Sequence, residues 1–356
     1  MGKQHSVIID GDWGGDEKQL TAVLLAHSED VDILGVTCVF GNTDHNQVVQ
    51  NALDILHFLN ASHLPVHRGA DRPSDQDALE GDGAHGANGV GGVILPRSPK
   101  KAQEKTAVDF ILDQLRTREP GTVTITASGP LTNIAQAFTK DKATMQKVKK
   151  IIIMGGCTHD MPAHDMKVRR GNITPHAEFN FQQAAPDAET VMKSGLPIVL
   201  LPMNCTHQLT FTPEREKQLA DIYHKHTDIQ KQLVGMIAAP KELDAMKFNV
   251  APVMHDIHCA LFLLYPEQYN IIAGAVTVSG RDDLEWNQTK LGHTDFKETP
   301  DSNLHVAIGI QDPDCLFGIF MQSIQHCIRP EQALLPQLVL NSTSASASLH
   351  EAVMLR

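Results

Sequence analysis

Short, nearly unbroken apolar runs recur along this chain, separated by stretches in which apolar residues return every three or four positions. The runs are rich in Val and Ile: Val7-Ile8-Ile9, Val31 to Phe40, Leu64 to His67, Thr122 to Ala127, Lys150 to Met154, Ile198 to Pro202, residues 271–278 and His305 to Ile310. Each predicts a strand. Helical spacing fills the intervals. Leu20, Val23 and Leu24 follow the first run, and Val48, Ala52, Ile55, Leu56 and Leu59 share one face of a helix predicted over Gln47–Leu59. Further helices are predicted over Ala102–Arg116, from Leu131, over Asp187–Ser194, from Pro213, from about Thr227, over Asp256–Tyr265 and over Pro313–Ile328.

Strands that are apolar on both faces, alternating with helices, imply a mostly parallel central sheet covered on both sides. The fold class expected is therefore α/β: an open, Rossmann-like single domain over residues 1–329, followed by a mobile tail over 330–356 whose Ser- and Ala-rich end lacks periodicity. Two long polar segments, residues 69–100 and 155–178, interrupt the alternation. The first centres on His85-Gly86-Ala87-Asn88-Gly89. A loop of that length in a compact domain is expected to be a lid, a binding loop or disordered.

Composition narrows the partners. The net charge is −12 over 356 residues, and no basic stripe interleaved with aromatics appears, so nucleic acid is not an expected partner. No apolar run approaches the roughly 18 residues of a membrane span, and no signal-peptide pattern opens the chain, so no membrane association is expected. The six cysteines are scattered without a CxxC pair, which in a chain this size reads as reduced thiols in a cytoplasmic protein.

In open α/β folds ligands bind beyond the carboxyl ends of the strands, so the residues placed there carry the functional reading. The first strand ends in Asp10-Gly11-Asp12-Trp13-Gly14-Gly15-Asp16-Glu17, four carboxylates threaded with glycines. Such a cluster needs a cation, protons or bulk water to relieve its repulsion. Asn42 follows the second strand and Ser128-Gly129 the strand at 122–127. Asn172, Glu178 and Asn180 lie beyond the strand at 150–154, while Asn204, Thr206 and His207 follow the strand at 198–202. His255-Asp256 opens a helix. Oxygen donors of this kind suit Ca²⁺ or Mg²⁺, whereas zinc would call for Cys and His together. Taken singly, Asp256 reads equally as a charge at a helix N-terminus, and Asn42, Asn172 and Asn204 as turn residues. The chain has no GxxxxGK[ST] loop, no GxGxxG after a strand and no GxSxG elbow, which removes P-loop, dinucleotide-binding and serine-hydrolase layouts.

Together these residues resemble the nucleoside hydrolases, the inosine–uridine-preferring nucleosidase family. Its N-terminal Asp-x-Asp-Pro-Gly-x-Asp-Asp turn stands here as Asp10 to Glu17. Further matches follow in family order: Val39-Phe40-Gly41-Asn42, His85-Gly86, Ser128-Gly129-Pro130-Leu131-Thr132-Asn133-Ile134-Ala135, Ile153-Met154-Gly155-Gly156, Gly171-Asn172, Ala177-Glu178-Phe179-Asn180, Cys205-Thr206-His207 and His255-Asp256. The resemblance spans about residues 5–328. It implies hydrolysis of the N-glycosidic bond of a ribonucleoside to free base and ribose. It also implies one Ca²⁺ held by Asp12, Glu17, the Ser128 carbonyl and Asp256, with Asp12 as the base for the metal-bound water. Asp16 and Asn172 would bind the ribose 2′- and 3′-hydroxyls, Glu178 and Asn180 the 5′-hydroxyl. Asn42 would support the metal shell, Met154 would pack on the sugar, His85 would line the substrate site, and His255 would protonate the leaving base. A homodimer or homotetramer is expected by the same analogy.

The chemistry is consistent with the residues. Cleavage passes through an oxocarbenium-like ribosyl cation, which a dense carboxylate pocket stabilises as charge develops. Two departures stand inside the signature. Trp13 replaces the proline and either stacks on a base or fills the pocket; Glu17 replaces the second paired aspartate. Ala87 and Asn204 also stand where acids are usual. Two other readings compete: a degenerate, non-catalytic nucleoside-binding protein, and a Mg²⁺-dependent phosphatase of the haloacid dehalogenase type using Asp10-Gly11-Asp12.

Overall fold

The computed structural model describes residues 3–14, 21–22, 25–26, 28–74, 88–90, 93–162, 168–225, 253–280 and 291–326. Asp16, Glu17, His85 and Ala87, the helix expected from about Thr227 and the tail from 330 lie outside the described residues.

Among the described residues nine strands form one sheet: β1 (His5–Gly11), β2 (Val31–Cys38), β3 (Val66–Arg68), β4 (Val123–Ser128), β5 (Lys150–Met154), β8 (Ile198–Leu201), β9 (Tyr269–Val278), β10 (Thr294–Glu298) and β11 (Leu304–Ile310), in the order β10-β9-β11-β8-β5-β4-β1-β2-β3. A two-residue ribbon, β6 (Met161–Pro162) with β7 (Val168–Arg169), stands apart. From β11 to β3 every pairing is parallel. β9 runs antiparallel to both β11 and β10, so the expected mostly parallel α/β architecture is the one observed, with an antiparallel edge.

The period-two alternation explains why the strands read as unbroken apolar runs. Val7 and Ile9 enter one buried cluster while Ile8 enters the other; Ile152 likewise faces away from Ile151 and Ile153. Helices cover both faces, and β4 is buried at all six positions.

The helices are α1 (His45–Phe58), α2 (Ala107–Thr117), α3 (Thr132–Lys140), α4 (Lys142–Met145), α5 (Phe179–Gln183), α6 (Ala185–Met192), α7 (Met203–Thr206), α8 (Pro213–Lys225), α9 (His258–Leu264) and α10 (Pro313–His326). α2 starts five residues later than the apolar spacing predicts, because the Thr106 hydroxyl caps it by accepting from the Asp109 N–H at 3.2 Å. α9 starts at His258, which leaves Asp256 in the turn before it. Among the described residues no helix is long and apolar enough to cross a membrane.

The strand order sets the site. β1 leads to β2 and β3 on one side, and the chain then returns to place β4 on the other side of β1. Crossovers diverge at the carboxyl ends of β1 and β4, which opens a crevice there. Gly11 lies opposite Ser128 in register and opposite Cys38 on the other side. The residues after Gly11 therefore emerge at the centre of the crevice.

Candidate active site at the carboxyl edge of the sheet

Asp12 is the first residue beyond β1 and is only 1% exposed. Its Oδ2 accepts from the Asn42 backbone N–H at 3.0 Å, and its carbonyl accepts from Asn42 Nδ2 at 3.0 Å. Two glycines make room for the carboxylate. A Cβ on Gly41 would lie 2.0 Å from Asp12 Oδ2, and one on Gly129 would lie 3.0 Å from Oδ1 and 2.8 Å from the Asp12 backbone N. The cradle is thus built from the segments following β1, β2 and β4, and neither position 41 nor position 129 has room for a side chain beside Asp12.

Asp10, two residues earlier, plays a different part. It is fully buried, and its Oδ2 accepts from Thr37 Oγ1 at 2.5 Å and Asn133 Nδ2 at 2.8 Å. Asn133 also donates to the Cys38 carbonyl and accepts from the Ala70 N–H. Burial pushes the Asp10 carboxyl up to about 6, against the two hydrogen bonds that favour its charged form. Asp10 therefore ties β1 to β2 and α3 beneath Asp12.

Ser128 ends β4 and is 3% exposed; Asp256 is 2% exposed. Two contacts bring Asp256 to this place. The Thr21 hydroxyl donates to its carbonyl at 3.3 Å. Cys259, whose N–H bonds the Asp256 carbonyl, sets its Sγ 3.8 Å from the Ala127 carbonyl and 3.7 Å from that of Ile152. Two buried carboxylates and the adjoining strand-end carbonyl are oxygen donors of the kind Ca²⁺ takes, and a buried carboxylate cluster is unfavourable without a cation or protons. Among the described residues no group of three His, Cys, Asp or Glu side chains gathers as a metal cage. The donor set fits a hard cation only with backbone or further carboxylate oxygen added.

The second wall comes from β5 and α5. Glu178 caps α5: Oε1 accepts from the Asn180 N–H at 2.9 Å, and Oε2 accepts from Gly156 at 2.8 Å and Phe181 at 3.1 Å. Burial raises its pKa above the ordinary value, opposed by those three N–H groups and by His255. Asn180 Nδ2 donates to the Met154 carbonyl at 3.2 Å and lies 3.7 Å from Met154 Sδ, so these three residues form one unit. Asn172 Oδ1 accepts from the Phe179 N–H at 2.9 Å, which fixes its amide beside them.

His255 stands half-buried at the entrance to α9, its ring centroid 5.4 Å from that of His207. Its Nδ1 lies 2.7 Å from the hydroxyl of buried Thr206, which also donates to the Met203 carbonyl at 3.1 Å. Asn204 does not reach this group; it accepts from the Thr158 N–H and hydroxyl instead.

The family model described as inosine-uridine preferring nucleoside hydrolase matches residues 7–316. The chain belongs to that family. The pyrimidine-specific ribonucleoside hydrolase RihA of Shewanella oneidensis is 30% identical over 305 residues, covering 85% of this chain and 91% of that protein. Uridine nucleosidase 1 of Arabidopsis thaliana is 36% identical over 236 residues, 64% of this chain and 65% of its own length. Among solved structures, a purine-preferring ribonucleoside hydrolase from Gardnerella vaginalis superposes with a TM-score of 0.78 at 26% identity, covering 91% of this chain and 99% of that one.

In this member of the nucleoside hydrolase family, Asp12, Asn42 and the end of β4 at Ser128 meet at the crevice, and Met154, Asn172, Glu178 and Asn180 form a second hydrogen-bonded group beyond β5. Trp13 is fully buried in the core cluster, and among the described residues its indole N–H has no hydrogen-bond partner. Of the two alternatives for this residue, burial favours filling space over stacking on a base. Its carbonyl accepts from Asn51 Nδ2 at 3.2 Å, and the same amide holds the Asn88 carbonyl at 3.0 Å. Asn88 is therefore held beside the signature turn. Thr37, Gly41 and Asn133 were not singled out by chemistry at the sequence level. Asn133 and Gly41 did stand inside quoted motifs, whereas Thr37 gave no local signal.

Proposed function

We propose that the protein hydrolyses the N-glycosidic bond of ribonucleosides, releasing free base and ribose. The observation that carries this reading is the glycine-walled, buried Asp12 carboxylate at the β1/β4 switch point. Asp12, Asp256, the Ser128 carbonyl and, by sequence, Glu17 would hold one Ca²⁺. When bound, such a cation would supply a lowered pKa for the attacking water. Asp12 takes the proton from that water, its carboxylate oriented by the Asn42 N–H. Asp16 and Asn172 hold the 2′- and 3′-hydroxyls, Glu178 and Asn180 the 5′-hydroxyl, and Met154 packs on the sugar; His85 borders the base. The buried carboxylates of Asp12, Asp256 and Glu178 stabilise the ribosyl cation as it forms, in a site from which water screening is excluded. His255 supplies a proton to the leaving base. The homodimer or homotetramer expected by analogy belongs to this reading too.

The test is a panel of nucleosides with base release followed by chromatography, run with and without a chelator. Asp12→Asn, which preserves the side-chain shape, is expected to remove base release by about 10³-fold or more while thermal unfolding by circular dichroism stays near native. Near-native turnover of that variant on every cleaved nucleoside would refute the role of Asp12.

A further inference from the structure

We infer that Thr206 is a positioning residue that fixes the tautomer and aim of His255. The inference rests on the proposed hydrolase reading, and it concerns a contact 49 residues apart in sequence. Thr206 ends α7, directly beyond β8, and is fully buried. A hydroxyl has one proton to donate and two lone pairs to offer. Thr206 Oγ1 lies 3.1 Å from the Met203 carbonyl and 2.7 Å from His255 Nδ1. The carbonyl can only accept. If the hydroxyl gave its proton to Nδ1, two oxygens would face each other at 3.1 Å inside the protein with no hydrogen between them. If it gives its proton to Met203, Nδ1–H donates to Thr206 and every group is satisfied. The Met203 carbonyl keeps the His207 N–H at 2.8 Å in both arrangements, so the difference lies in the repulsion of two oxygens at 3.1 Å with no proton between them, and the second arrangement is the lower in energy.

The consequence is chemical. With Nδ1 committed to carrying hydrogen, any proton that His255 gives or takes passes through Nε2, the ring atom on the side away from Thr206. In the proposed reaction the water's hydroxyl joins C1′ and its proton goes to Asp12. The C1′–N electron pair leaves with the base, and the Nε2 proton travels with it. The ring then remains neutral, with Nδ1–H still bonded to Thr206. Without the Thr206 acceptor the neutral ring loses this preference for Nδ1–H, so the population ready to serve the leaving base falls.

The test compares two leaving groups. Nitrogen bases of nucleosides need a proton as they depart; p-nitrophenolate does not. Thr206→Val keeps the shape and removes the acceptor. Relative to p-nitrophenyl β-D-ribofuranoside, kcat/KM for uridine or inosine is expected to fall about 10-fold or more, carried by kcat, with KM within about 3-fold. Thr206→Ser is expected to restore the ratio. A second readout is independent of turnover: in ¹⁵N-histidine-labelled protein, the resonance lost in His255→Gln should report the Nδ1–H tautomer in the native chain and shift towards Nε2–H in Thr206→Val. An equal loss on both substrates, an unchanged ratio, or an Nε2–H tautomer in the native chain would overturn the inference and leave the hydrolase reading standing. A native protein that cleaves neither substrate, with the Nδ1–H tautomer confirmed, would overturn the hydrolase reading and the catalytic consequence drawn from it.

Discussion

The cradle around Asp12 makes a quantitative demand at Gly41. A Cβ there would lie 2.0 Å from Asp12 Oδ2, 2.7 Å from Cγ and 2.9 Å from Cβ, whereas ordinary contact begins at 3.4 Å. Gly41→Ala must therefore drive the carboxylate away by more than about 1 Å, and at 1% exposure Asp12 has no solvent to swing into. The displacement breaks the 3.0 Å bond from the Asn42 N–H, worth about 1.5–3 kcal/mol for a charged acceptor. The Gly41 φ of 152° adds about 1–3 kcal/mol of backbone strain for any residue with a side chain. The sum, roughly 3–6 kcal/mol, is a large share of the ~5–15 kcal/mol that holds a domain folded, so unfolding must be monitored alongside activity. A misplacement of about 1 Å at the reacting group is expected to cost about 10²-fold in kcat/KM for base release. Gly121→Ala and Gly195→Ala separate strain from steric displacement. Both positions have positive φ, 74° and 72°, but open space where the Cβ would stand; they should lose about 1 kcal/mol of stability and no activity. Gly129→Ala, meeting Asp12 Oδ1 at 3.0 Å, should fall between these cases. A folded Gly41→Ala protein within about 3-fold of native kcat/KM would show that the position of Asp12 does not govern the reaction.

Two further outcomes follow from the surroundings of the site. Arg170 donates to Asp160 at 2.5 Å, to Asp295 at 2.8 Å and to the Thr294 carbonyl at 3.3 Å, pinning the segment that carries Asn172 and Glu178 to β10. Arg170→Ala should raise KM for the cleaved nucleoside about 3- to 10-fold with kcat little changed, and an unchanged KM would mean that this latch does not position the sugar. Burial holds the pKa of His5, His45 and His67 below 6.5; a neighbouring lysine or arginine also acts on each, and for His67 a hydrogen bond to the Lys105 carbonyl opposes the shift. The unfolded chain binds more protons than the native one near pH 6.5, so unfolding free energy falls as pH drops through that value. Asp10, raised to about 6, works the other way below that pH. Denaturant melts between pH 7.5 and 6.5 should therefore show the loss, and His67→Gln should lessen it; a flat profile would refute the assignment.

What could be read from the sequence divides along a physical line. The parallel core was legible because each strand buries both faces, as the split of Val7 and Ile9 from Ile8 shows, and such runs announce themselves without reference to any neighbour. β10 was missed because its residues, Thr-Asp-Phe-Lys-Glu, are mostly exposed and owe their extended form to pairing with β9, which no local pattern records. The late start of α2 was recoverable: Thr106 and Asp109 are a capping pair three residues apart. The site shows the same division. Asp12, Asn42, Ser128, Asp256 and Glu178 stand at strand ends or helix starts, so knowing the topology was nearly enough to gather them. The residues that hold them do not share that regularity. Thr37 supports Asp10 from the neighbouring strand, Asn133 reaches Asp10 over 123 residues, and Thr206 meets His255 across a gap filled by a whole helix and further chain. A hydrogen bond between distant segments leaves no period in either one. The groups proposed to touch substrate were therefore easier to foresee than those proposed to aim them, and the Thr206 variants test a residue of that second kind.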